Sequence, residues 1–346
     1  MTVRAGVVGL GMGRTHARAY AASKRAELVA LCDVNEALLA EYKAQYPQAA
    51  AYTSYEEMFA QAKLDAVSIA LPNYLHAPVA IAALNAGLHV LCEKPMALNA
   101  ELAQTMLAAS QATGKKLMIH FNYRYSPQSQ FLKRYVDEGH LGQIYYARTR
   151  WLRSRGIPKL GGWFGIKRLS GGGPLIDLGV HRLDLAMWLM GYPKATAVSA
   201  SAFNLLGTRL AQEQGAQFDC EDLVSAHVRL DNGATLNLEV SWAGGTDRRE
   251  DMLTGIYGTD GAVIQRNTGQ GYDFECLALD DAAGQLVRVE PQTLPDKVPS
   301  AVDDFIDCVA DDHAPTASAE NGLELMRIID SIYRSAELKR EVCLDE

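Results

Sequence analysis

Between residues 3 and 120, short β-type runs alternate with helical stretches, and this order restricts the fold more than any other feature of the chain. The expected strands are 3–8, 27–32, 66–71, 88–92 and 116–120. Between them lie segments rich in alanine, leucine and glutamate, with helices expected over 35–45, 76–86 and 99–113. Strand–helix–strand repetition builds a parallel sheet with right-handed crossovers. From about residue 140 the pattern changes to hairpins. Val224, Ala226, Val228 and Leu230 alternate with polar neighbours, Asp231-Asn232-Gly233 turns the chain, and Ala234, Leu236, Leu238 and Val240 continue the alternation. A second pair flanks 258–261 and a third flanks the turn at 280–284, which predicts a mainly antiparallel sheet.

The fold class that follows is α/β plus α+β. A doubly wound parallel-sheet domain is expected over 1–122, and a second domain on an open, mainly antiparallel sheet over 123–346. The last helical stretch, 322–340, carries Leu325, Ile328, Ile329 and Ile332 on one face and can pack back on the first domain. No internal repeat or low-complexity segment interrupts this plan. An apolar sheet face left uncovered in the second domain would need helices or another subunit against it, so a homo-oligomer, dimer or tetramer, is expected.

A chain of 346 residues has material for two such domains, and 48% hydrophobic with 21% charged residues is a globular composition. Lysine and arginine number 33 against 41 acidic residues, a formal charge of −8, and no long basic run could neutralise a row of phosphates, so no nucleic-acid partner is expected. Apolar stretches such as 66–71 fall short of the roughly 20 residues of a membrane span. The first residues lack the apolar core of a secretory signal, which predicts a cytoplasmic protein. The six cysteines stand singly, with no Cys-x-x-Cys pair, and read as small core fillers in a reducing compartment; no metal centre is expected from them.

The first strand ends in Gly9-Leu10-Gly11-Met12-Gly13-Arg14, which opens a helix. Glycine there lets backbone approach a pyrophosphate, and the helix start supplies free N–H groups and positive dipole. Three glycines alone also suit any tight strand-to-helix turn. The position in the first βα turn, the continuing β-α-β unit and Asp33 closing the second strand shift the reading to a dinucleotide. Asp33 would accept hydrogen bonds from the adenosine ribose and repel a 2′-phosphate, favouring NAD over NADP. Gly13 arrives one residue before the usual third glycine position, held here by Arg14, so a shortened variant of the turn is expected.

Glu93-Lys94-Pro95 follows the fourth expected strand, at the edge where open α/β sheets bind ligands, and Lys94 is expected to face the cofactor crevice. In the second domain Gly171-Gly172-Gly173-Pro174 introduces a helix over 175–190 that is apolar almost all round and therefore buried. At about 100° per residue, Asp177, His181 and Asp184 fall on one stripe. Two carboxylates and an imidazole in a buried helix need partners or a polar cavity, so this seam is expected to line a site. The same groups could ligate a divalent ion, but that reading leaves the glycine turn unexplained. A dehydrogenase uses every piece: His181 titrates near neutrality and suits removal of a hydroxyl proton, and Lys94 would stabilise the oxygen as charge develops.

With these positions in place, the whole chain resembles the Gfo/Idh/MocA family, that of glucose-fructose oxidoreductase and inositol dehydrogenase. The resemblance rests on Gly9-Leu10-Gly11-Met12-Gly13 with His16, Asp33, Pro72-Asn73 with His76, Glu93-Lys94-Pro95, Asn122-Tyr123-Arg124, and Ser170-Gly171-Gly172-Gly173 running into Asp177, His181 and Asp184. It implies an N-terminal Rossmann domain for NAD or NADP and a C-terminal open sheet that carries substrate residues and often builds the oligomer. It implies cofactor contacts from Gly9, Gly11, Met12, Gly13, Asp33, Pro72, Asn73, His76, Glu93 and Lys94. Substrate contacts would come from Lys94, Tyr123, Arg124, Trp163, Asp177 and His181, with Lys94, Asp177 and His181 the catalytic set and Asp177 orienting the substrate or the histidine. The implied substrate is a sugar, inositol or related polyol oxidised at a secondary hydroxyl. Where many members have arginine after tryptophan, this chain has Phe164 after Trp163, and Lys167 and Arg168 are the nearest cations. Two alternatives share the fold: a redox-neutral enzyme that uses bound NAD in a transient oxidation, elimination and reduction, and a sensor that binds NAD without chemistry.

Overall fold

A computed structural model describes residues 1–282, 284–295 and 298–344; residue 283, inside the third expected turn, and residues 345–346, at the end of the second expected domain, lie outside it. The chain divides into two compact units, residues 1–121 with 299–326, and residues 122–298 with 327–346.

The first unit begins with β1 (Val3–Val8), α1 (Leu10–Ala22), β2 (Ala26–Cys32), α2 (Glu36–Gln45), β3 (Ala50–Tyr52), α3 (Tyr55–Gln61), β4 (Ala66–Ile69), α4 (His76–Asn85), β5 (His89–Cys92), α5 (Ala100–Thr113) and β6 (Leu117–Ile119). The six strands are parallel in the order β3-β2-β1-β4-β5-β6, the doubly wound arrangement whose order reverses between β1 and β4. Central strands covered on both faces read as mainly apolar runs, and all four residues of β4 are buried. Helix ends follow local chemistry: Asn99 caps α5 by accepting from Leu102 N, and Gly114 closes it in the left-handed region at φ 65°. β3 and α3 have no counterpart among the expected elements, because three residues in β3 and seven in α3 are too few to show a period.

The second unit contains α6 (Pro127–Asp137), β7 (Ile144–Arg153), α7 (Lys167–Ser170), α8 (Val180–Leu189), β8 (Ala195–Phe203), α9 (Leu205–Gln214), β9 (Leu223–Leu230), β10 (Thr235–Ser241), β11 (Glu250–Gly258), β12 (Gly261–Asn267), β13 (Phe274–Ala282) and β14 (Gln285–Val289). The chain then continues through α10 (Ala301–Asp311), α11 (Ala319–Leu338) and β15 (Val342–Cys343). The sheet order is β14-β13-β12-β11-β7-β10-β9-β8-β15; every neighbouring pair is antiparallel except β7 with β10. The three expected hairpins are β9–β10, β11–β12 and β13–β14.

The segment 299–326 falls with the first unit, whereas the sequence reading kept 123–346 as one continuous domain. The reason is the apolar side of α10, where Ala301, Val302, Phe305, Ile306 and Cys308 are buried and the helix packs on α1, β1 and β5. Its start is fixed by a capping box in which Ser300 and Asp303 satisfy each other's backbone N–H.

The outer face of the large sheet corrects the expectation of an uncovered apolar surface. Arg148, Arg150, Ser199, Ser201, Ser225, His227, Asn237 and Glu239 occupy it, while their strand neighbours Val224, Ala226, Val228, Leu236, Leu238 and Val240 are buried. Five cysteines are buried and unpaired, but Cys343 is exposed and fills no core. Among the described residues, no helix is long and apolar enough to cross a membrane.

Candidate active site

The glycine turn owes its shape to close packing. Gly9 has φ +89°, and a Cβ there would lie 2.4 Å from Ala70 O, on the neighbouring strand connection. A Cβ on Gly13 would lie 2.7 Å from Val7 Cγ1, so Gly13 performs the close helix-to-strand packing of the third glycine one residue early. Gly11 differs: nothing lies within 4 Å of its Cβ position, and it sits exposed in the first turn of α1 beside Met12, which is 63% exposed. A helix start with open space in front of its N–H groups fits a pyrophosphate.

Asp33 closes β2, where Leu10 N donates to its Oδ2 at 2.7 Å and Asn35 N to its Oδ1 at 2.8 Å. These bonds tie the carboxylate to the glycine turn, and further lone pairs remain for ribose hydroxyls. Pro72 and Asn73 follow β4, and Glu93 and Lys94 follow β5. Gly9, Asp33, Asn73 and Lys94 therefore stand at carboxyl ends of parallel strands, around the β1–β4 reversal. Lys94 is partly exposed, whereas Asn73 is buried.

Glu93 and His76 take roles that differ from the expected cofactor contacts. Glu93 Oε1 lies 3.0 Å from both His16 Nε2 and His120 Nδ1, and its Oε2 accepts from Lys94 N at 3.2 Å. His16 Nδ1 meets Ser68 Oγ at 3.0 Å, which meets Tyr20 Oη at 2.8 Å. Burial alone would raise the Glu93 pKa, but the two histidines hold it well below the carboxylate range. With Glu93 ionised, the bonds close in one order: Tyr20 donates to Ser68, Ser68 to His16, and His16 to Glu93. The ligand atoms of His16, Glu93 and His120 lie close enough for a metal ion, yet this order satisfies them without one. His76 is fully buried, its Nδ1 2.7 Å from Pro95 O and its Nε2 2.8 Å from Leu71 O, and burial lowers its pKa. Its ring clamps the turn after β5 to the end of β4 and presents no free nitrogen to a ligand.

In the second unit the triple glycine is needed because its neighbours leave no room. A Cβ on Gly172 would fall 1.8 Å from Tyr333 Oη, and one on Gly173 would fall 2.1 Å from Glu221 O. Glu221, buried, accepts from Gly173 N at 2.9 Å, Leu175 N at 3.2 Å and the Tyr333 hydroxyl at 2.9 Å, anchoring the start of the buried helix. That helix opens with a π-helical turn, Leu175–Gly179, before α8. The inserted turn breaks the uniform 100° stepping on which the single stripe was drawn.

The stripe accordingly divides. Asp184 is buried and belongs to the core: Arg124 Nε donates to its Oδ2 at 2.9 Å and Arg124 Nη2 to its Oδ1 at 2.5 Å, while the Tyr192 hydroxyl donates at 2.6 Å. Arg124, 0% exposed, packs over the Trp188 and Tyr192 rings. The expected substrate contact from Arg124 is thereby corrected, because its guanidinium is sealed in this ion pair. Asp177 and His181 remain partly exposed. Trp242 Nε1 donates to Asp177 Oδ2 at 3.0 Å, and Arg153 Nη1 lies 3.8 Å from the same oxygen. The Arg153 Nε also donates to Glu250 Oε1 at 3.1 Å, and Trp151 Nε1 to Glu250 Oε2 at 2.7 Å. The His181 ring lies edge-on to Tyr123, 5.0 Å between centroids, and 6.0 Å from Trp151. Tyr123 is thus brought beside His181, its hydroxyl pKa pushed up to about 12 by burial. Trp163, half-buried, meets Phe164 edge-on at 5.0 Å.

Sequence reading missed Glu221, Trp242, Glu250, Arg153 and Trp151. Trp151, Arg153 and Glu250 lie in strands and Trp242 just after one; only the strand pairing shows that Glu250 faces Arg153 across β7 and β11.

Comparison with known proteins gives two matches to family models. Residues 3–121 match "Oxidoreductase family, NAD-binding Rossmann fold" and residues 133–344 match "Oxidoreductase family, C-terminal alpha/beta domain" of the same family. The chain is similar to D-glucoside 3-dehydrogenase of Escherichia coli, 32% identical over 97% of this chain and 95% of the relative. It is also similar to D-xylose 1-dehydrogenase (NADP(+)) 2 of Haloferax volcanii, 30% identical over 85% of each chain. Among solved structures, a levoglucosan dehydrogenase in complex with NADH superposes with a TM-score of 0.86 over 99% of both chains at 26% identity.

Proposed function

Because the chain belongs to the Gfo/Idh/MocA oxidoreductase family, we propose that it is a dehydrogenase moving a hydride between a secondary hydroxyl of a sugar, inositol or related polyol and NAD. The reading is carried by one observation: Gly9, Asp33, Asn73 and Lys94 share the carboxyl edge of the parallel sheet, with open space before Gly11. Relatives acting on glucosides, xylose and levoglucosan support the substrate class. The Asp33 carboxylate supports NAD over NADP, since it matches ribose hydroxyls and repels a phosphate.

NAD supplies a hydride acceptor when bound; the protein does the rest. Lys94 donates a hydrogen bond to the reacting hydroxyl oxygen and stabilises it as negative charge develops. His181 accepts the hydroxyl proton, for which its imidazole must start neutral. Asp177, fixed by Trp242, orients the substrate, and Tyr123 lines the approach to His181. Trp163 forms a wall of the substrate site. The chain works in the cytoplasm, a reading its unpaired cysteines support. It assembles as a homo-oligomer through the outer face of the large sheet, a concavity of about 520 Å³ where Arg148, Arg150 and Glu239 offer both charges for self-pairing.

The test is NADH formation with NAD and a panel of inositols, aldoses, glycosides and anhydrosugars. Absorbance growth at the nicotinamide band with one or more members is the expected result. No signal with any member, or turnover on co-purified cofactor that needs no replenishment, would contradict it. Asp33→Ala should weaken NAD binding and relax selectivity toward NADP, and light scattering reads the subunit number.

A further inference from the structure

Tyr272 stands in the turn that joins β12 to β13, and 53% of its surface is exposed. The turn itself is fixed. Thr268 N donates to Asp273 O at 2.8 Å, and the buried Asn267 donates from Nδ2 to Glu250 O at 2.8 Å and to Gly271 O at 3.1 Å. The Tyr272 hydroxyl accepts from Arg153 Nη2 at 3.0 Å and donates to Glu250 Oε1 at 3.3 Å. Its ring meets Trp151 edge-on, 5.9 Å between centroids. An apolar side chain exposed on a mobile surface is ordinary, but this ring is held by its backbone, its hydroxyl and its edge while much of its face stays open.

Two routes lead from Tyr272 to the groups assigned to the hydroxyl chemistry. The polar route is the Arg153 guanidinium, whose Nη2 donates to the Tyr272 hydroxyl and whose Nη1 lies 3.8 Å from Asp177 Oδ2. A single side chain therefore spans the distance between Tyr272 and Asp177. The aromatic route runs through Trp151, which lies 5.8 Å from the Tyr123 ring and 6.0 Å from the His181 ring. Tyr272, Trp151 and Tyr123 thus form a wall that ends at His181, with Arg153, Glu250 and Asp177 along its polar margin. Trp151 is 3% exposed, and Tyr272 is the ring of the wall with the most area to offer a ligand.

We propose that Tyr272 is a substrate-binding residue that stacks on the C–H face of a cyclic sugar or inositol, so that the site selects rings over open-chain polyols. The proposal rests on the reading of Asp177 and His181 as the substrate site. A saturated ring with equatorial hydroxyls turns those hydroxyls to its rim and its C–H bonds to its faces. The C–H hydrogens suit the negative face of an aromatic ring, and the rim hydroxyls suit a guanidinium and carboxylates. An open-chain polyol has no such face and loses more rotor freedom when it is laid flat.

The experiment is calorimetric titration of scyllo-inositol, methyl β-glucoside and sorbitol into the NADH complexes of wild type, Tyr272→Ala and Tyr272→Phe; an alcohol with NADH does not turn over. Wild type should bind at least one of the two rings more tightly than sorbitol. Tyr272→Ala should weaken that ring by about tenfold and leave sorbitol unchanged, whereas Tyr272→Phe, which keeps the ring and loses the hydroxyl, should stay within about threefold of wild type. NADH affinity should be the same in all three proteins. Unchanged ring affinity in Tyr272→Ala, or no binding of either ring by wild type, overturns the proposal. So does a Tyr272→Phe protein as weak as Tyr272→Ala, which would make the hydroxyl ties to Arg153 and Glu250 the decisive feature. A change of subunit number in Tyr272→Ala by light scattering would assign the exposed ring to a subunit contact and overturn it equally. Ring binding that depends on Tyr272 without NADH formation from NAD would contradict the dehydrogenase and leave the stacking role standing.

Discussion

Asp184→Asn tests whether Arg124 serves the core or the substrate. The pair is sealed, with side-chain exposures of 0% for Arg124 and 1% for Asp184. The substitution removes the negative charge facing Arg124 and leaves an amide oxygen there, beside the Tyr192 hydroxyl oxygen at 2.8 Å and two aromatic faces. Removing one partner of a buried pair costs about 3–5 kcal/mol, a large share of the roughly 5–15 kcal/mol that holds a domain folded. All four tryptophans, Trp151, Trp163, Trp188 and Trp242, lie in the second unit, so tryptophan fluorescence during urea unfolding reports that unit. The expected result is a midpoint drop corresponding to about 3–5 kcal/mol, most of it recovered in the double variant Arg124→Met/Asp184→Leu, which removes both charges. A loss below about 1 kcal/mol, the level of an exposed pair, would refute the buried-pair reasoning. A stable Arg124→Met protein with raised KM would return Arg124 to the substrate.

Gly11→Ala should leave thermal stability unchanged while weakening NAD binding at least about tenfold, because its Cβ meets no protein atom but enters the space before the helix start; Gly13→Ala should instead lose about 1–3 kcal/mol by crowding Val7, both read by melting with and without NAD. Acid should destabilise the first unit in two stages, followed by hydrogen exchange. Buried His16 and His76, with lowered pKa values, bind protons better when unfolded, so stability falls as pH drops below about 6.5. Glu93, whose folded pKa is depressed, adds a loss below about 4.5 that Glu93→Gln should abolish. Trp242→Phe, which removes the donor to Asp177, should lower kcat/KM by about ten- to a hundredfold, equivalent to about 1.5–3 kcal/mol for a hydrogen bond to a charged group, with NAD affinity intact.

The parallel unit was legible because its central strands are largely buried and read as mainly apolar runs; residues 3–8 stand in the structure as expected. The hairpin at Asp231-Asn232-Gly233 was legible through its turn chemistry. What could not be read is where spatial partners decide the outcome. The π-helical turn at Leu175–Gly179 leaves no compositional trace, so Asp184 was grouped with Asp177 and His181 although Arg124 claims it. His76 and Glu93 sit in the motif positions expected, but long-range bonds to Pro95, His16 and His120 turn them toward the protein interior.

The most direct test of the account is the single-turnover rate of NADH formation by wild type and His181→Ala, with NAD saturating and a sugar that the wild type oxidises. A fall of about 10²- to 10⁴-fold with NAD affinity unchanged is the predicted result for loss of a general base. Equal rates in the two proteins, or a loss explained entirely by weaker NAD binding, would contradict it.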